Sequence, residues 1–173
     1  LDLGVRNLLV PMIDSAAEAE LAAARVNYPD KGVRGVGSAL ARASMWNRIP
    51  NYLERARETI TLICQIESAK AVEDVENILG VDGVDAIFVG PTDLAADLGI
   101  IGQAGDESVK SRVIHCIKAA KAAGKPVGTN AFDPAIAREY IDAGADFVLV
   151  GADVTILARG SEALAEKFLE TSN

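Results

Sequence analysis

The sequence predicts an α/β protein of the (β/α)8 TIM-barrel type, represented by five consecutive βα modules. Three observations predict it. Apolar runs too short for helices alternate with longer stretches of helical spacing, and strands joined by helical crossovers run parallel. One design recurs three times: Gly4, Gly83 and Gly144 each stand six residues before the valine that closes an apolar run, Leu8-Leu9-Val10, Ile87-Phe88-Val89 and Val148-Leu149-Val150. Each run is followed three or four residues on by an aspartate: Asp14, Asp93 or Asp153. Finally, a complete barrel takes roughly 250 residues, whereas these 173 carry five strand signals and open on Leu1-Asp2-Leu3-Gly4, the pattern of a helix end with no helix before it. The expectation is a single domain over residues 1–173 in which the N-terminal modules of a barrel are absent; an open doubly wound sheet is the alternative.

The first strand runs through Leu8-Leu9-Val10, and Asp14-Ser15 followed by Glu18 is a capping box for a helix through Arg25. The rhythm then breaks. Tyr28 to Gly37, and Ser38 to Asn51 with Trp46, form a long irregular stretch of the kind that tends to be functional in compact domains. A solvated excursion with a short helix is equally open, and Arg34, Arg42 and Arg48 read either as anion ligands or as surface charges.

The second strand, Thr61 to Glu67, closes on Gln65 and Glu67. The third begins at Ala86 as the uninterrupted apolar run of a strand buried on both faces, breaks at Gly90-Pro91 and offers Asp93. Ser108 to Ala123 places Val109, Val113, Cys116, Ile117 and Ala120 on one helical face, with Gly124 as its stop. Lys125 to Asn130 is the fourth strand, Asp133-Pro134 supplies an N-cap and a first-turn proline for the next helix, and Val148 to Val150 is the fifth strand. The last helix, Val154 to Leu169, carries Ile156, Leu157, Leu164 and Phe168 on a comparable stripe.

Composition narrows the function classes. Half of the chain is apolar, enough for a sizeable core, and a net charge of -8 with a pI near 4.7 argues against nucleic acid or an anionic membrane as partner. No apolar run approaches the roughly 20 residues of a membrane span. Cys64 and Cys116 lack metal-type spacing and are expected as buried, reduced thiols of a cytoplasmic protein.

Glu67 and Asp93 are the candidate chemistry. Neighbouring parallel strands would aim both carboxylates from the same end of the sheet, where α/β enzymes place their sites. A hard divalent cation takes oxygen ligands and keeps several waters, so two carboxylates and a chelating substrate suffice. The competing reading, of equal weight on spacing alone, is that each acid caps the helix after its strand. Gln65 tips the balance toward a metal, because it shares a strand face with Glu67. The turn Gly90-Pro91-Thr92-Asp93 would expose backbone N–H groups suited to a carboxylate. His115 lies on a helix away from these strand ends and reads as structural. No lysine stands at a strand C-terminus, which weighs against a Schiff-base aldolase, since Lys125 is at the start of its strand. There is also no Ser/His/Asp arrangement and no G-x-G-x-x-G after a strand.

Gln65-Ile66-Glu67-Ser68, then Val84-Asp85-Ala86-Ile87-Phe88-Val89-Gly90-Pro91-Thr92-Asp93-Leu94, with Leu9-Val10-Pro11-Met12, Tyr28-Pro29 and Arg34-Gly35-Val36-Gly37 upstream, resemble the HpcH/HpaI family of class II, metal-dependent pyruvate aldolases. The resemblance covers the whole chain with its motifs in order. It implies a carbon-carbon lyase that cleaves 4-hydroxy-2-oxo acids such as 4-hydroxy-2-oxoheptane-1,7-dioate reversibly to pyruvate and an aldehyde through a metal-stabilised enolate. Glu67 and Asp93 would bind the divalent metal (Mg2+, Mn2+ or Co2+), with Gln65, Gly90, Pro91, Thr92 and Asp93 around the substrate. It also implies a homo-oligomer, a trimer of dimers, in which the loop bearing Arg34, Val36 and Arg42 reaches a neighbouring subunit's site.

Three departures accompany the resemblance. The family's acid-base histidine and enolate-steadying arginine have no counterpart here and are expected upstream of Leu1, so no catalytic acid or base is assigned within the chain, and this 173-residue form is expected to have little activity. Met45 stands where relatives carry an arginine, and Gly128-Thr129-Asn130-Ala131-Phe132 is more polar than the family's aliphatic segment, which bears on the aldehyde. The alternatives are an acyl-CoA carbon-carbon lyase like the citrate lyase β subunit, and a non-catalytic oligomerising module.

Overall fold

The computed structural model describes residues 1–169. Five strands, β1 (Asn7–Val10), β2 (Thr61–Ile66), β3 (Ala86–Val89), β4 (Val127–Asn130) and β5 (Phe147–Leu149), form one parallel sheet in the order β1-β2-β3-β4-β5. That order decides between the two topologies. A doubly wound sheet reverses direction partway, whereas every crossover here steps to the next strand on the same side, which is barrel winding.

The helices are α1 (Ala16–Val26), α2 (Tyr52–Arg55), α3 (Ala69–Glu73), α4 (Val75–Gly80), α5 (Pro91–Asp97), α6 (Glu107–Ala122), α7 (Pro134–Asp142) and α8 (Asp153–Phe168). Among the described residues no helix is long and apolar enough to cross a membrane. Alternation sets the core. Leu62, Cys64 and Ile66 of β2 share one sheet face with Ile87, Val89 and Val127, and all are buried in a cluster with Ala19 and Ala23 of α1, Ile78 of α4 and the Val109, Val113, Cys116, Ile117 and Ala120 stripe of α6. Fully burying one of the larger aliphatic side chains contributes about 1.5–3 kcal/mol. Cys64 and Cys116 are free thiols inside it, raised by burial to about 11 and about 12 respectively.

The opposite sheet face carries Leu9, Gln65, Phe88, Gly128, Phe147 and Leu149, and it is open at both edges, where Leu9 is 46% and Leu149 52% exposed. Its middle is closed by an aromatic pair. The Phe147 ring lies over Gly128 to meet Phe88 at 6.1 Å between centroids, and a Cβ on Gly128 would overlap that ring.

The three repeat glycines, Gly4, Gly83 and Gly144, have φ of +92°, +94° and +107°, the left-handed turn that feeds each strand. Two residues after the second and third stands an aspartate that clamps the preceding strand: Asp85 accepts from Leu62 N at 2.7 Å and Asp146 from Val127 N at 2.9 Å. Arg57 and Lys121 close these clamps from the side, with nitrogens 2.8 and 2.7 Å from the carboxylates. Arg6 holds the corresponding place in the first module.

Most expected helix signals are realised. Ser15 caps α1 by accepting from Glu18 N, while Glu18 reaches back to Asp14 N at 2.6 Å; Asp133 caps α7 with Pro134 in its first turn. The last helix departs from expectation. α8 exists, but Ile156, Leu157, Leu164 and Phe168 are all exposed. A helix following a barrel strand packs across that strand and the next, and β5 is the edge of the described sheet, so among the described residues the apolar stripe of α8 is left largely exposed.

The irregular stretch after α1 contains two 3-10 turns, Gly37–Leu40 and Arg42–Ser44. Arg34 turns inward, 8% exposed, bonded to Asp2 at 2.6 Å and stacked on the Tyr28 ring. Burial opposes its charge, but the bond to Asp2, with help from Tyr52 and Tyr28, leaves the guanidinium pKa raised. Val36 and Arg42 are both exposed.

Candidate functional site

Parallel register puts the two carboxylates side by side. Ile66 pairs with Val89, so Glu67 and Gly90 leave β2 and β3 at the same height, and Gly90 N donates back to Ile66 O at 2.9 Å. Pro91 then fixes the first turn of α5, which carries Asp93 as its third residue. Asp93 is thus a first-turn helix residue rather than a strand tip, and it is exposed, while Glu67 is 5% exposed.

Each bond of Glu67 bears on the helix-capping alternative. The residue that caps α3 is Ser68, whose hydroxyl accepts from Ala71 N at 3.0 Å. Glu67 instead accepts from Met12 N across the sheet, at 3.0 Å on Oε2, and its Oε1 is hydrogen-bonded by the Gln65 side-chain amide. Capping therefore does not account for Glu67. Gly90 leaves the room it needs, because a Cβ there would stand 2.8 Å from Oε1 and 3.0 Å from Cγ.

Burial raises the Glu67 pKa; the Met12 N–H opposes this, and the charge and hydrogen-bonding reach of Asp93, with a contribution from Asp14, push it up further. Two carboxylates this close repel when both are ionised, and a cation between them removes the repulsion. The donor set is all oxygen, with open solvent on the Asp93 side, as a hard divalent cation that keeps water ligands requires. These residues fit such a metal. The first-turn N–H groups of Thr92 and Asp93 lie at the same turn, where the helix leaves its leading amides without intrahelical partners.

The structure thus brings together Gln65, Glu67, Gly90, Pro91, Thr92 and Asp93. It keeps His115 apart, half exposed on α6 and 3.6 Å from Glu76, and it places Arg34 in its own cluster with Asp2 and Tyr28. Sequence reasoning missed the turn after β1. Met12 has φ +55°, a left-handed conformation uncommon outside glycine, and this aims its N–H at Glu67; Ile13 N donates to Gln65 O at 3.3 Å; and Asp14 accepts from the Ser68 hydroxyl at 2.5 Å. Asp14 was visible as a member of the aspartate repeat, but nothing in the sequence pairs it with Ser68.

A family model described as HpcH/HpaI aldolase/citrate lyase matches residues 1–160. A 4-hydroxy-2-oxo-heptane-1,7-dioate aldolase of Salmonella heidelberg (strain SL476) is 48% identical over 168 residues, covering 97% of this chain and 64% of that protein. A crystal structure of an HpcH/HpaI aldolase/citrate lyase family protein from Burkholderia cenocepacia J2315 superimposes with a TM-score of 0.90 at 36% identity, over 96% of this chain and 66% of the other. That of an HpcH/HpaI aldolase from Desulfitobacterium hafniense DCB-2 gives 0.81 at 32% identity, over 99% and 68%. The chain spans just under two thirds of the length of the Salmonella relative.

Proposed function

The chain belongs to the HpcH/HpaI aldolase/citrate lyase family, and from that membership we propose that it carries the metal and oxo-acid half of an aldolase site acting on 4-hydroxy-2-oxo acids. One observation supports this reading above the rest. Glu67, buried with a raised pKa and excused from helix capping, meets Asp93 at the C-terminal end of adjacent parallel strands.

In this reading Glu67 and Asp93 hold a divalent cation such as Mg2+, Mn2+ or Co2+. The cation would supply Lewis acidity toward the keto oxygen of a 2-oxo acid. Gln65 orients Glu67 through its side-chain amide and borders the substrate. The N–H groups of Thr92 and Asp93 meet the substrate carboxylate, and Pro91 has no N–H to compete with them. Gly90 keeps the space open. The partners are a small 2-oxo acid and an aldehyde, in a cytoplasmic homo-oligomer whose 34–44 loop, with Val36 and Arg42 at its surface, meets a neighbouring subunit.

Proton transfer falls outside this set, since the one histidine, His115, is on α6. The name of the 48%-identical relative favours the aldolase over a citrate-lyase-type reaction on an acyl-CoA thioester. Calorimetry of the chain with Mn2+ and pyruvate tests the proposal. Pyruvate-dependent heat that requires the metal and disappears in Glu67→Ala is the expected result; pyruvate heat indifferent to both overturns it. A non-catalytic assembly module would give no such heat.

A further inference from the structure

We propose that Asp14 is a positioning residue for the Glu67 carboxylate, acting through Ser68 and the Met12–Asp14 turn; this rests on the reading of Glu67 as a metal ligand. Two backbone donors stitch that turn to the end of β2, Met12 N to Glu67 Oε2 at 3.0 Å and Ile13 N to Gln65 O at 3.3 Å, and Ile13 is buried beneath it. The third stitch comes from Asp14, whose Oδ1 accepts the Ser68 hydroxyl proton at 2.5 Å across 54 positions of sequence.

A hydroxyl has one proton to give. Ser68 gives it to Asp14 and uses a lone pair for Ala71 N, so Asp14 sets the rotor of a buried side chain adjacent to Glu67. A purely local role does not explain this bond. α1 is capped by Ser15, and Asp14 contributes only its backbone N–H to that helix end, bonded to Glu18 at 2.6 Å. Its carboxylate is turned the other way, toward β2.

The consequence falls on Glu67. With the turn held, Met12 N occupies Oε2 and leaves Oε1 facing Gly90 and Gln65. Without the Asp14 stitch, the exposed Met12 in its left-handed conformation is held by backbone bonds alone and relaxes toward ordinary φ, carrying the N–H away from Glu67.

The test compares Asp14→Ala with Asp14→Asn in the full chain. Both remove the charge, but only asparagine keeps an oxygen acceptor for Ser68. The first readout needs no metal: amide hydrogen exchange at Met12 should accelerate about tenfold in Asp14→Ala and stay near wild type in Asp14→Asn, with the Val89 amide unchanged in both. The second is Mn2+ affinity by calorimetry, about tenfold weaker in Asp14→Ala and restored in Asp14→Asn. Equal behaviour of the two variants, or an unchanged Met12 amide in Asp14→Ala, overturns the proposal. If wild type takes no Mn2+, the metal reading of Glu67 fails, and Met12 exchange alone still decides the positioning role.

Discussion

Gly90 and Glu67 share a space that only one side chain can occupy: a Cβ on Gly90 would come within 2.8 Å of Oε1 and 3.0 Å of Cγ of Glu67. The backbone of Gly90, at φ -100° and ψ 93°, is one that alanine adopts freely. The cost of Gly90→Ala therefore falls on the position of Glu67 rather than on the turn. The expected outcome is a loss of about tenfold or more in Mn2+ affinity, with a change in unfolding free energy under about 1 kcal/mol. Calorimetry beside urea unfolding checks it, and parallel loss of both quantities would show that the turn itself had failed.

Glu67 should destabilise the metal-free fold at neutral pH. Its pKa is raised in the folded state, above the ordinary glutamate value of 4.5. Between those two values the folded chain binds more protons than the unfolded chain, so stability falls as pH climbs through that window, and the ionised carboxylate remains a cost above it. Glu67→Gln cannot ionise and keeps an acceptor for Met12 N. The metal-free variant should be more stable than wild type at pH 7, with the difference closing as pH drops below 4.5. Urea midpoints across that range measure this directly; a wild type at least as stable as the variant at pH 7 would reverse the sign.

Gly128 is reserved for a neighbour's ring. Phe147 lies where its Cβ would be, so Gly128→Ala forces the ring off Phe88 and should cost about 1–3 kcal/mol by overpacking. Adding Phe147→Ala removes the clash, and the two substitutions should be non-additive by more than about 0.5 kcal/mol in a double-mutant cycle. Simple additivity would mean that the ring does not occupy that space in solution.

How far the sequence carried these conclusions depended on whether the signal was local. The five strands, the α6 face from Val109 to Ala120 and the Ser15 and Asp133 caps are set by periodicity and by side chains bonding their own helix ends, and all were legible. The repeat glycines were legible too, because a left-handed turn at a fixed distance from a strand leaves few other residues to choose from. The strand clamps at Asp85 and Asp146 escaped notice although each stands two residues after a repeat glycine, because their acceptors serve a strand 23 or 19 residues back in the chain. The Glu67–Asp93 pairing was legible once the strands were known to be adjacent and parallel. The Asp14–Ser68 bond was not, since it joins residues 54 apart and neither has a spacing that names the other.

The clamp at Asp85 makes a prediction about the other end of the sheet. Its carboxylate takes two bonds from Arg57, at 2.8 and 2.9 Å, and one from Leu62 N at 2.7 Å. Asp85→Asn keeps one acceptor and loses the charge pairing, whereas Asp85→Ala leaves the strand N–H without its partner, so alanine should cost about 1–3 kcal/mol and asparagine less. Neither change is near Glu67, so Mn2+ affinity should be unaffected in the folded protein. Weakened metal binding in both would tie the two ends of the sheet together.

The exposed stripe of α8 sets the sharpest test of the fold itself. Leu157 is 73% exposed and Leu62 is fully buried, although both are leucines on apolar faces of regular elements. Leu62→Ala should cost about 2–5 kcal/mol, through lost transfer energy and a cavity between β2 and its helices. Leu157→Ala removes no contact with the core and should change stability by less than about 0.5 kcal/mol. Urea unfolding of the two variants at several protein concentrations separates the cases. A large, concentration-dependent loss for Leu157→Ala would mean that the stripe is covered by another copy of the chain in solution, and a large loss independent of concentration would mean that α8 folds back onto its own sheet.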